Sequence, residues 1–303
     1  MKYPLPVGSI ELKSITLTDG RKLSYCDNGI VSDVALLFHH GTPGSAQIWE
    51  TFLEAAASKD VRAISYTRAG YPGSDQASHN QILDTHGDFL ELLKQLGVSE
   101  FVSIGWSGGG PYALLSTFES SCKGAELIAA VAPYFEMGEE FLVGTDGSES
   151  TEILDKKSSS KAACMEVSLE EIKDFEEHWT VESWQKQVEV RVNYDQFSNI
   201  YSKFNELVVP SLLNAVFPDA TGYAADDYLI LSNWGFKVSD VAKPVSIWNG
   251  DEDQGVPTGH AFWLHSRIEG STVHILEGQK HVTIMVEAME PILDSAILKL
   301  QKK

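Results

Sequence analysis

The chain has 303 residues, of which 43% are hydrophobic and 22% are charged, and its formal net charge is -20. This length can bury a full hydrophobic core, and the composition is that of a soluble globular protein. The negative charge argues against nucleic acid and anionic membrane surfaces as partners. No apolar run approaches the length of a membrane span, which excludes an integral membrane protein.

The cysteines and the N-terminus predict a cytoplasmic protein without a cofactor. Cys26, Cys122 and Cys164 are widely spaced and match no metal-ligand pattern, so we expect free thiols in a reducing compartment. The N-terminal sequence MKYPLP lacks the apolar core of a signal peptide. Nothing in the sequence implies a metal ion or an organic cofactor, and it leaves the oligomeric state open.

The first 135 residues alternate between predicted strands and helices. Two strand-like runs joined by a turn at 18–21 predict a β-hairpin, and the apolar run VALLF at 34–38 predicts a buried strand. Helices are predicted at 48–57 and 82–96, and further strands at 61–66, 101–104 and 127–132. This alternation predicts a mostly parallel sheet flanked by helices, with ligands bound at the carboxyl ends of the strands.

The turn after the strand at 101–104 has the pattern Gly-x-Ser-x-Gly, formed by Gly105, Ser107 and Gly109. In a nucleophile elbow this pattern holds a serine on a sharp strand-to-helix turn with its hydroxyl exposed. Side chains two residues before and after the serine would collide with the neighbouring strand and helix, which explains the glycines. The pattern arises by chance in roughly one chain of this size in ten, so the interpretation requires partners for Ser107.

The alternation stops after Pro133, and residues 136–223 are predicted as an acidic, helical insertion. The sequence from Ser168 to Glu171 is that of a capping box, which predicts the start of a helix. Trp184 marks another predicted helix further along the insertion.

The predicted sheet resumes after the insertion. A helix is predicted at 226–233, strands at 245–248 and 272–276, and a final helix at 284–300. We therefore predict a core made of residues 1–135 and 224–303, with residues 136–223 as a cap inserted between two strands of the sheet.

Two loops near the end of the chain carry candidate partners for Ser107. A serine hydroxyl needs a base to take its proton, and the base needs a third group that fixes its tautomer. The loop at 249–257 contains Asp251, Glu252 and Asp253, and the loop at 277–282 contains His281. Each loop follows a predicted strand, at the edge of the sheet where the site is expected.

Five segments of the chain resemble the α/β-hydrolase superfamily, in particular its cap-bearing esterases, proline iminopeptidases and haloperoxidase-like members. They are HGTPGS at 40–45, YTRAGYPGS at 66–74, GWSGG at 105–109, GDEDQGVP at 250–257 and GQKH at 278–281. They occur in the family's order along most of the chain. The resemblance implies an α/β-hydrolase fold, with a mostly parallel central sheet flanked by helices and a helical cap insertion.

The resemblance also implies a Ser-His-Asp catalytic triad. Ser107 matches the nucleophile, His281 the base, and Asp253 the acid in the family's G-x-x-D-x-x-V-P pattern. Asp251 and Glu252 are neighbouring alternatives for the acid. Some relatives carry the acid after the preceding core strand, where this chain has Glu136.

The other site residues are also assigned by the resemblance. The backbone N–H groups of Thr42 and Gly108 are expected to form the oxyanion hole, and His40 is expected to support the loop that carries Thr42. Arg68 and Ser74 match a structural loop, and the role of His39 stays open. Trp106 is the one aromatic residue that we assign to a substrate pocket, because the motif fixes its position beside Ser107.

The sequence thus predicts a serine hydrolase that cleaves a small carboxylic ester through an acyl-enzyme intermediate. A proline-iminopeptidase type of aminopeptidase is the nearest alternative, although Thr42 stands where those enzymes usually have glycine. A weakly catalytic ligand receptor, a lyase and a C–C hydrolase on the same fold stay open, because a fold does not determine a function. The expected partner is a small ester or amide substrate.

Overall fold

The structure is a computed structural model that describes residues 3–145, 153–156, 160–178 and 198–302. The strands are β1 (Lys13–Thr16), β2 (Lys22–Asp27), β3 (Val34–His39), β4 (Ala63–Tyr66), β5 (Glu100–Trp106), β6 (Cys122–Ile128), β7 (Val245–Gly250) and β8 (Thr272–Leu276). They form one sheet in the spatial order β1-β2-β4-β3-β5-β6-β7-β8. β2 pairs antiparallel with β1 and β4, and the pairs from β4 through β8 are parallel. The predicted mostly parallel sheet is confirmed.

The α-helices are α1 (Glu50–Ser58), α2 (His86–Gln95), α3 (Gly110–Ser116), α4 (Tyr134–Met137), α5 (Lys161–His178), α6 (Ser198–Val216), α7 (Thr221–Leu231), α8 (Thr258–Arg267), α9 (Thr283–Glu287) and α10 (Met289–Gln301). Short 3-10 helices occur at Ala46–Trp49, Ile82–Thr85, Ser107–Gly109, Gly138–Leu142 and Val238–Asp240. Within the described ranges, no helix is both long and apolar enough to cross a membrane.

The sheet separates two hydrophobic clusters, one on each face. Side chains of a strand point alternately to the two faces, so consecutive residues of a buried strand pack into different clusters. In β3, Leu37 belongs to one cluster, whereas Leu36 and Phe38 belong to the other. This double burial explains why the β3 sequence is a continuous apolar run.

The structure corrects two predicted boundaries. The strand predicted at 127–132 is β6, which runs from Cys122 to Ile128. Its charged residue Glu126 is fully buried and accepts hydrogen bonds from Trp248 Nε1 (2.7 Å) and Lys299 Nζ, so a satisfied buried charge hid the first part of the strand. The predicted helix start at Ser168 is also wrong, because Ser168 lies inside α5 and its hydroxyl donates to Cys164 O at 3.2 Å.

The described part of the predicted insertion is helical. Helices α4 to α7 lie between β6 and β7 in the chain, and α7 spans the position predicted as the end of the cap. The predicted helix around Trp184 lies outside the described residues. The division into core and cap stays a prediction.

Candidate active site

The turn between β5 and α3 has the strained geometry expected of a nucleophile elbow. Ser107 has a φ of 54°, in the left-handed region that residues with a Cβ rarely adopt. A Cβ added at Gly105 would overlap the carbonyl of Gly109, and one added at Gly109 would overlap the carbonyl of His39. The glycines on both sides of Ser107 therefore permit a close approach of backbone segments.

The structure brings Ser107, His281 and Asp253 into one hydrogen-bonded chain. His281 Nε2 lies 2.9 Å from Ser107 Oγ, and His281 Nδ1 lies 2.9 Å from Asp253 Oδ2. Ser107 follows β5, Asp253 follows β7, and His281 follows β8, so three parallel strands deliver them to the same edge of the sheet. The two loops that carry Asp253 and His281 are themselves joined, because Glu252 N donates to Gln279 O at 3.0 Å.

The environment of Asp253 fixes the tautomer of His281. Asp253 Oδ1 accepts from the backbone N–H groups of Gly255 (2.9 Å) and Val256 (2.8 Å), which leaves Oδ2 for the imidazole. An ionised carboxylate only accepts hydrogen bonds, so Nδ1 of His281 carries the proton and Nε2 accepts from the Ser107 hydroxyl. The Asp253 side chain is fully buried, whereas that of His281 is 26% exposed.

The alternative acids have other surroundings. Asp251 is exposed, and its Oδ1 accepts from Gly278 N at 2.6 Å. Glu252 is exposed in the same loop, and Glu136 is exposed on α4. Asp253, in contrast to these three carboxylates, is buried and hydrogen-bonded to His281.

Thr42 and Gly108 are neighbours across the site. A Cβ added at Gly108 would overlap Thr42 Oγ1 and would lie 2.8 Å from Ile230 Cδ1 of α7. The Thr42 hydroxyl donates to Asp226 Oδ2 at 2.6 Å, so it is already used within the protein. The loop after β3 and the turn after β5 therefore meet beside Ser107.

Comparison with known proteins agrees with this fold. A family model described as alpha/beta hydrolase fold matches residues 34–145, which contain β3 to β6 and the turn at Ser107. An esterase from Exiguobacterium antarcticum is 18% identical and has a TM-score of 0.66, with 95% of this chain and 99% of that chain covered. The chain therefore has the α/β-hydrolase fold.

Sequence relatives match a shorter part of this chain. A non-heme chloroperoxidase from Streptomyces lividans is 35% identical over 98 residues, which cover 32% of this chain and 36% of the relative. A non-heme haloperoxidase from Rhodococcus erythropolis is 32% identical over 123 residues, which cover 39% of this chain and 44% of the relative. The chain thus spans less than half the length of these relatives.

A buried cluster of charged and hydroxyl groups lies next to the site of this α/β-hydrolase. We call it the Asp226 cluster; its members are Thr42, Arg68, Tyr71, Tyr112 and Asp226. Arg68 Nε lies 3.1 Å from both carboxylate oxygens of Asp226, and Nη2 also contacts Oδ2. Tyr71 OH donates to Oδ2 at 2.9 Å, and Tyr112 OH donates to Oδ1.

At the centre of the Asp226 cluster is a buried ion pair, in which the charges of Arg68 and Asp226 neutralise each other. Burial opposes the charged guanidinium, but the adjacent Asp226 carboxylate raises the pKa of Arg68 above its ordinary value. Burial, with the Asp226 charge as the next cause, raises the pKa values of Tyr71 and Tyr112, so both phenols stay protonated and donate. The predicted structural character of Arg68 agrees with these contacts. Ser74, from the same segment, donates to Thr67 O at 2.7 Å.

The two histidines that precede Gly41 are fully buried and neutral. His40 Nδ1 donates to Gly41 O at 2.7 Å, and its Nε2 accepts from Arg68 N at 3.1 Å. His39 contacts Tyr66 OH at 3.0 Å and Ser103 Oγ at 2.6 Å. Burial, reinforced by the charge of Arg68, holds the pKa of each histidine well below its ordinary value. These contacts agree with the supporting role expected for His40 and give His39 a place in the packed interior.

Trp106 lies between the loop that carries Thr42 and the loop that carries His281. Its Nε1 donates to His281 O at 3.1 Å, and its ring centroid lies 5.3 Å from that of the imidazole. A Cβ added at Gly41 would lie 2.8 Å from Trp106 Cε3. The Trp106 side chain is buried, so it packs mainly against the two loops and exposes little surface to a substrate.

A groove of about 1050 Å³ opens beside this arrangement. Its lining includes His281 and Asp253 on one side and Met137, Glu140 and Val143 on the other. The second side belongs to the segment that begins the predicted insertion, so the groove runs between that segment and the loops that end β7 and β8.

Sequence reasoning missed Asp226, which it placed only on a helix of the core. No local pattern marks Asp226, because its partners come from three other segments of the chain. One feature of the sequence could have found it: the α/β-hydrolase segment YTRAGYPGS carries a single basic residue, Arg68, and a buried arginine requires an acid partner.

Proposed function

We propose that this protein is a serine hydrolase that cleaves a small carboxylic ester through an acyl-enzyme intermediate. One observation carries the proposal: an unbroken hydrogen-bonded chain runs from buried Asp253 through His281 to Ser107. Such a chain activates a serine because the imidazole takes the hydroxyl proton as the oxygen attacks. The sequence and structural similarities to α/β-hydrolases support the same class of chemistry.

The first half of the proposed reaction forms the acyl-enzyme. Ser107 Oγ attacks the ester carbonyl while His281 Nε2 accepts its proton, and the Asp253 carboxylate stabilises the resulting imidazolium. His281 then gives this proton to the leaving alkoxide as the tetrahedral intermediate collapses. Ser107 is left as an ester of the substrate's acid, and the alcohol leaves.

The backbone N–H groups of Gly108 and Thr42 are proposed to bind the negative oxygen of the intermediate. Each preorganised donor contributes about 3 kcal/mol to stabilisation of such an oxygen. The Thr42 hydroxyl is not available for this purpose, because its proton is donated to Asp226. Pro43 lacks an N–H, so the loop offers its donor at Thr42.

Water completes the proposed cycle. His281 takes a proton from a water molecule, and the hydroxyl oxygen attacks the acyl carbon to form a second tetrahedral intermediate. When it collapses, His281 returns the proton to Ser107 Oγ and the carboxylic acid is released. We propose that the substrate reaches Ser107 along the groove beside His281, under the predicted cap at 136–223.

Labelling with a fluorophosphonate, followed by intact-mass measurement, tests the proposal. We expect one adduct on the wild type, none on Ser107→Ala, and one on Ser58→Ala, which removes an exposed serine on α1. Hydrolysis of p-nitrophenyl acetate should follow the same pattern. An adduct on Ser107→Ala, or ester turnover by that variant, would contradict Ser107 as nucleophile, and no adduct on any of the three proteins would favour the receptor alternative.

The names of the two sequence relatives favour a second candidate activity. An acyl-enzyme attacked by hydrogen peroxide instead of water releases a peroxy acid, which oxidises halide ions. The test is bromide oxidation in the presence of acetate and hydrogen peroxide, with Ser107→Ala as the control. Cleavage of an N-terminal prolyl amide, lost when its amine is blocked, would instead support the aminopeptidase alternative.

A further inference from the structure

The Asp226 cluster lies where the proposed oxyanion hole meets α7. Asp226 belongs to α7, is 3% exposed, and reaches Thr42 on the loop after β3. Tyr112, another donor to Asp226, belongs to α3, the helix that begins directly after the Ser107 turn. Asp226 thus contacts the two segments that carry the two proposed oxyanion donors.

Arg68 extends this connection to the backbone of the Thr42 loop. Its Nη1 donates to His40 O, and its Nη2 donates to Gly41 O at 3.0 Å and to Thr42 Oγ1 at 3.1 Å. Three consecutive residues of the loop are therefore held by one guanidinium. Asp226 in turn holds the guanidinium through both carboxylate oxygens.

Helix α7 is itself fixed against the loop that carries Arg68. A Cβ added at Gly222 would lie 2.5 Å from the carbonyl carbon of Gly70, so the helix backbone lies directly on the loop backbone. One turn beyond Asp226, Ile230 reaches the position of a Cβ on Gly108. The same helix therefore contacts the surroundings of both proposed oxyanion donors.

We propose that Asp226 is a positioning residue for the oxyanion hole: it holds the Thr42 hydroxyl and, through Arg68, the Thr42 loop, so that the Thr42 backbone N–H stays aimed at the substrate oxygen. This inference rests on the proposed hydrolase function and deepens it. In this proposal, α7 is an element between β6 and β7 that supports the oxyanion hole.

Asp226 can hold the loop in place because the loss of its contacts with Arg68 would cost free energy. Arginine does not lose its proton in proteins, and a buried carboxylate left without its donors pays the full desolvation cost of its charge. The cluster therefore has one low-energy arrangement over the whole working pH range. A donor held in this way needs no reorganisation when charge develops on the substrate, which is the property that makes an oxyanion hole effective.

A purely structural role for the cluster would stabilise the fold without affecting catalysis specifically. The two roles are separable because Tyr71 donates to the same Oδ2 atom as Thr42 does. Loss of either hydroxyl removes one hydrogen bond to this carboxylate oxygen, and loss of the Thr42 hydroxyl also removes the bond that it accepts from Arg68 Nη2. Only the loss of the Thr42 hydroxyl releases the proposed oxyanion loop.

The experiment compares Thr42→Val, Thr42→Ser and Tyr71→Phe by steady-state hydrolysis of p-nitrophenyl acetate. Valine keeps the shape and the backbone N–H of Thr42 but removes the hydroxyl. Because a small misplacement of a catalytic group costs up to about 100-fold, we expect kcat of Thr42→Val to fall by about 10- to 100-fold with little change in KM. Thr42→Ser should keep most of the wild-type kcat, and Tyr71→Phe should resemble the wild type in kcat. The pH profile should keep its midpoint in all three, because the His281 contacts are untouched.

Thermal unfolding of the same proteins completes the test. Similar losses of stability in Thr42→Val and Tyr71→Phe, with a loss of kcat in Thr42→Val alone, would support the proposal. Equal kcat in both variants, whether wild-type or lowered, would overturn it while Ser107-dependent turnover by the wild type keeps the proposed function intact. A wild type without Ser107-dependent turnover would overturn the function and this inference with it. Should Thr42→Val not fold, Asp226→Asn with a Tyr71→Phe control gives the same comparison.

Discussion

Two buried aspartates contact residues of the candidate site, and they differ in what their partners do. Asp253 is bonded to two backbone N–H groups and to His281, whose other nitrogen reaches Ser107. Asp226 is bonded to an arginine, a threonine and two tyrosines. Burial alone therefore does not distinguish the two carboxylates.

The difference lies in the proton that each partner holds. The imidazole of His281 lies within hydrogen-bond distance of the Ser107 hydroxyl through Nε2, and it is partly exposed at the groove. The guanidinium of Arg68 keeps its protons, and the phenols beside it have raised pKa values because they are buried near a negative charge. A carboxylate whose partner can exchange a proton supports catalysis. A carboxylate whose partners keep their protons holds the neighbouring segments in position.

The strongest test of this comparison is to remove the charge of Asp253. We expect Asp253→Asn to lower kcat by about 10⁴-fold, because the amide favours the wrong imidazole tautomer while the fold persists. Hydrolysis of p-nitrophenyl acetate measures the loss, and Asp240→Asn, an exposed change far from the loops of the site, serves as the control. An Asp253→Asn enzyme with near wild-type kcat would contradict the triad.

Removal of the charge of Asp226 should lower the stability of the fold in addition to the kcat that its positioning role supports. Breaking a buried ion pair from one side costs about 3–5 kcal/mol, because the remaining charge is left without its partner. We expect a loss of this size in the free energy of unfolding of Asp226→Asn, measured by urea denaturation. The double variant Asp226→Leu with Arg68→Met should recover part of it, since no buried charge remains. A double variant less stable than the single one would contradict the ion-pair explanation.

The same contrast, between a group that supports catalysis and one that supports the fold, separates His281 from His260. His260 is buried on α8, where its Nδ1 accepts from Ala132 N and its Nε2 donates to Phe141 O, each at 3.0 Å. Burial lowers the pKa of His260 to about 4 from an ordinary value of 6.5. Between these values the unfolded chain binds a proton that the folded chain does not. Stability should therefore fall as the pH drops from about 6.5 to about 4, by up to about 3 kcal/mol.

Urea denaturation at several pH values checks this expectation. His260→Gln cannot titrate, so its stability should depend less on pH than that of the wild type in this window. A smaller dependence will persist, because burial lowers the pKa values of His39 and His40 in the same direction. Identical pH dependence in the variant and the wild type would contradict a neutral, buried His260.

The residues of the site were predictable from the sequence to different degrees. Ser107 was predicted from the glycines that its turn requires. The order of loops after successive strands offered His281 and three candidate acids, and the resemblance of GDEDQGVP to a family pattern implied Asp253 among them. These features are local, so sequence patterns record them. Asp226 depends on contacts between α7 and segments more than a hundred residues away, for which no local pattern exists. Much of the fold was predictable for the same reason, because several parallel strands contain apolar runs, such as VALLF in β3.

The errors of prediction also have physical causes. The start of β6 was missed because Glu126 is a charged residue inside a buried strand, where Lys299, Ser295 and Trp248 satisfy its carboxylate. The helix start at Ser168 was wrong because the same residue types occur within helices when a side chain bonds to the preceding turn. The secondary structure at such positions depends on burial and on the hydrogen-bond partner of the side chain. Both are properties of the folded chain, so a local sequence pattern does not contain them.

The smallest expected effect concerns Trp106, which contacts both the Thr42 and the His281 loops. Trp106→Phe keeps an aromatic ring but removes the hydrogen bond from Nε1 to His281 O. A hydrogen bond of this kind contributes about 1 kcal/mol, so we expect a loss of stability of that size and a several-fold fall in kcat as the His281 loop loosens. The control is Trp248→Phe, the same substitution at a tryptophan that donates at 2.7 Å to Glu126. That variant should lose more stability, because its hydrogen bond is to a buried carboxylate, yet keep its kcat. Equal effects of the two variants on kcat would mean that Trp106 acts on the fold as a whole, whereas a loss confined to Trp106→Phe would connect it to the position of His281.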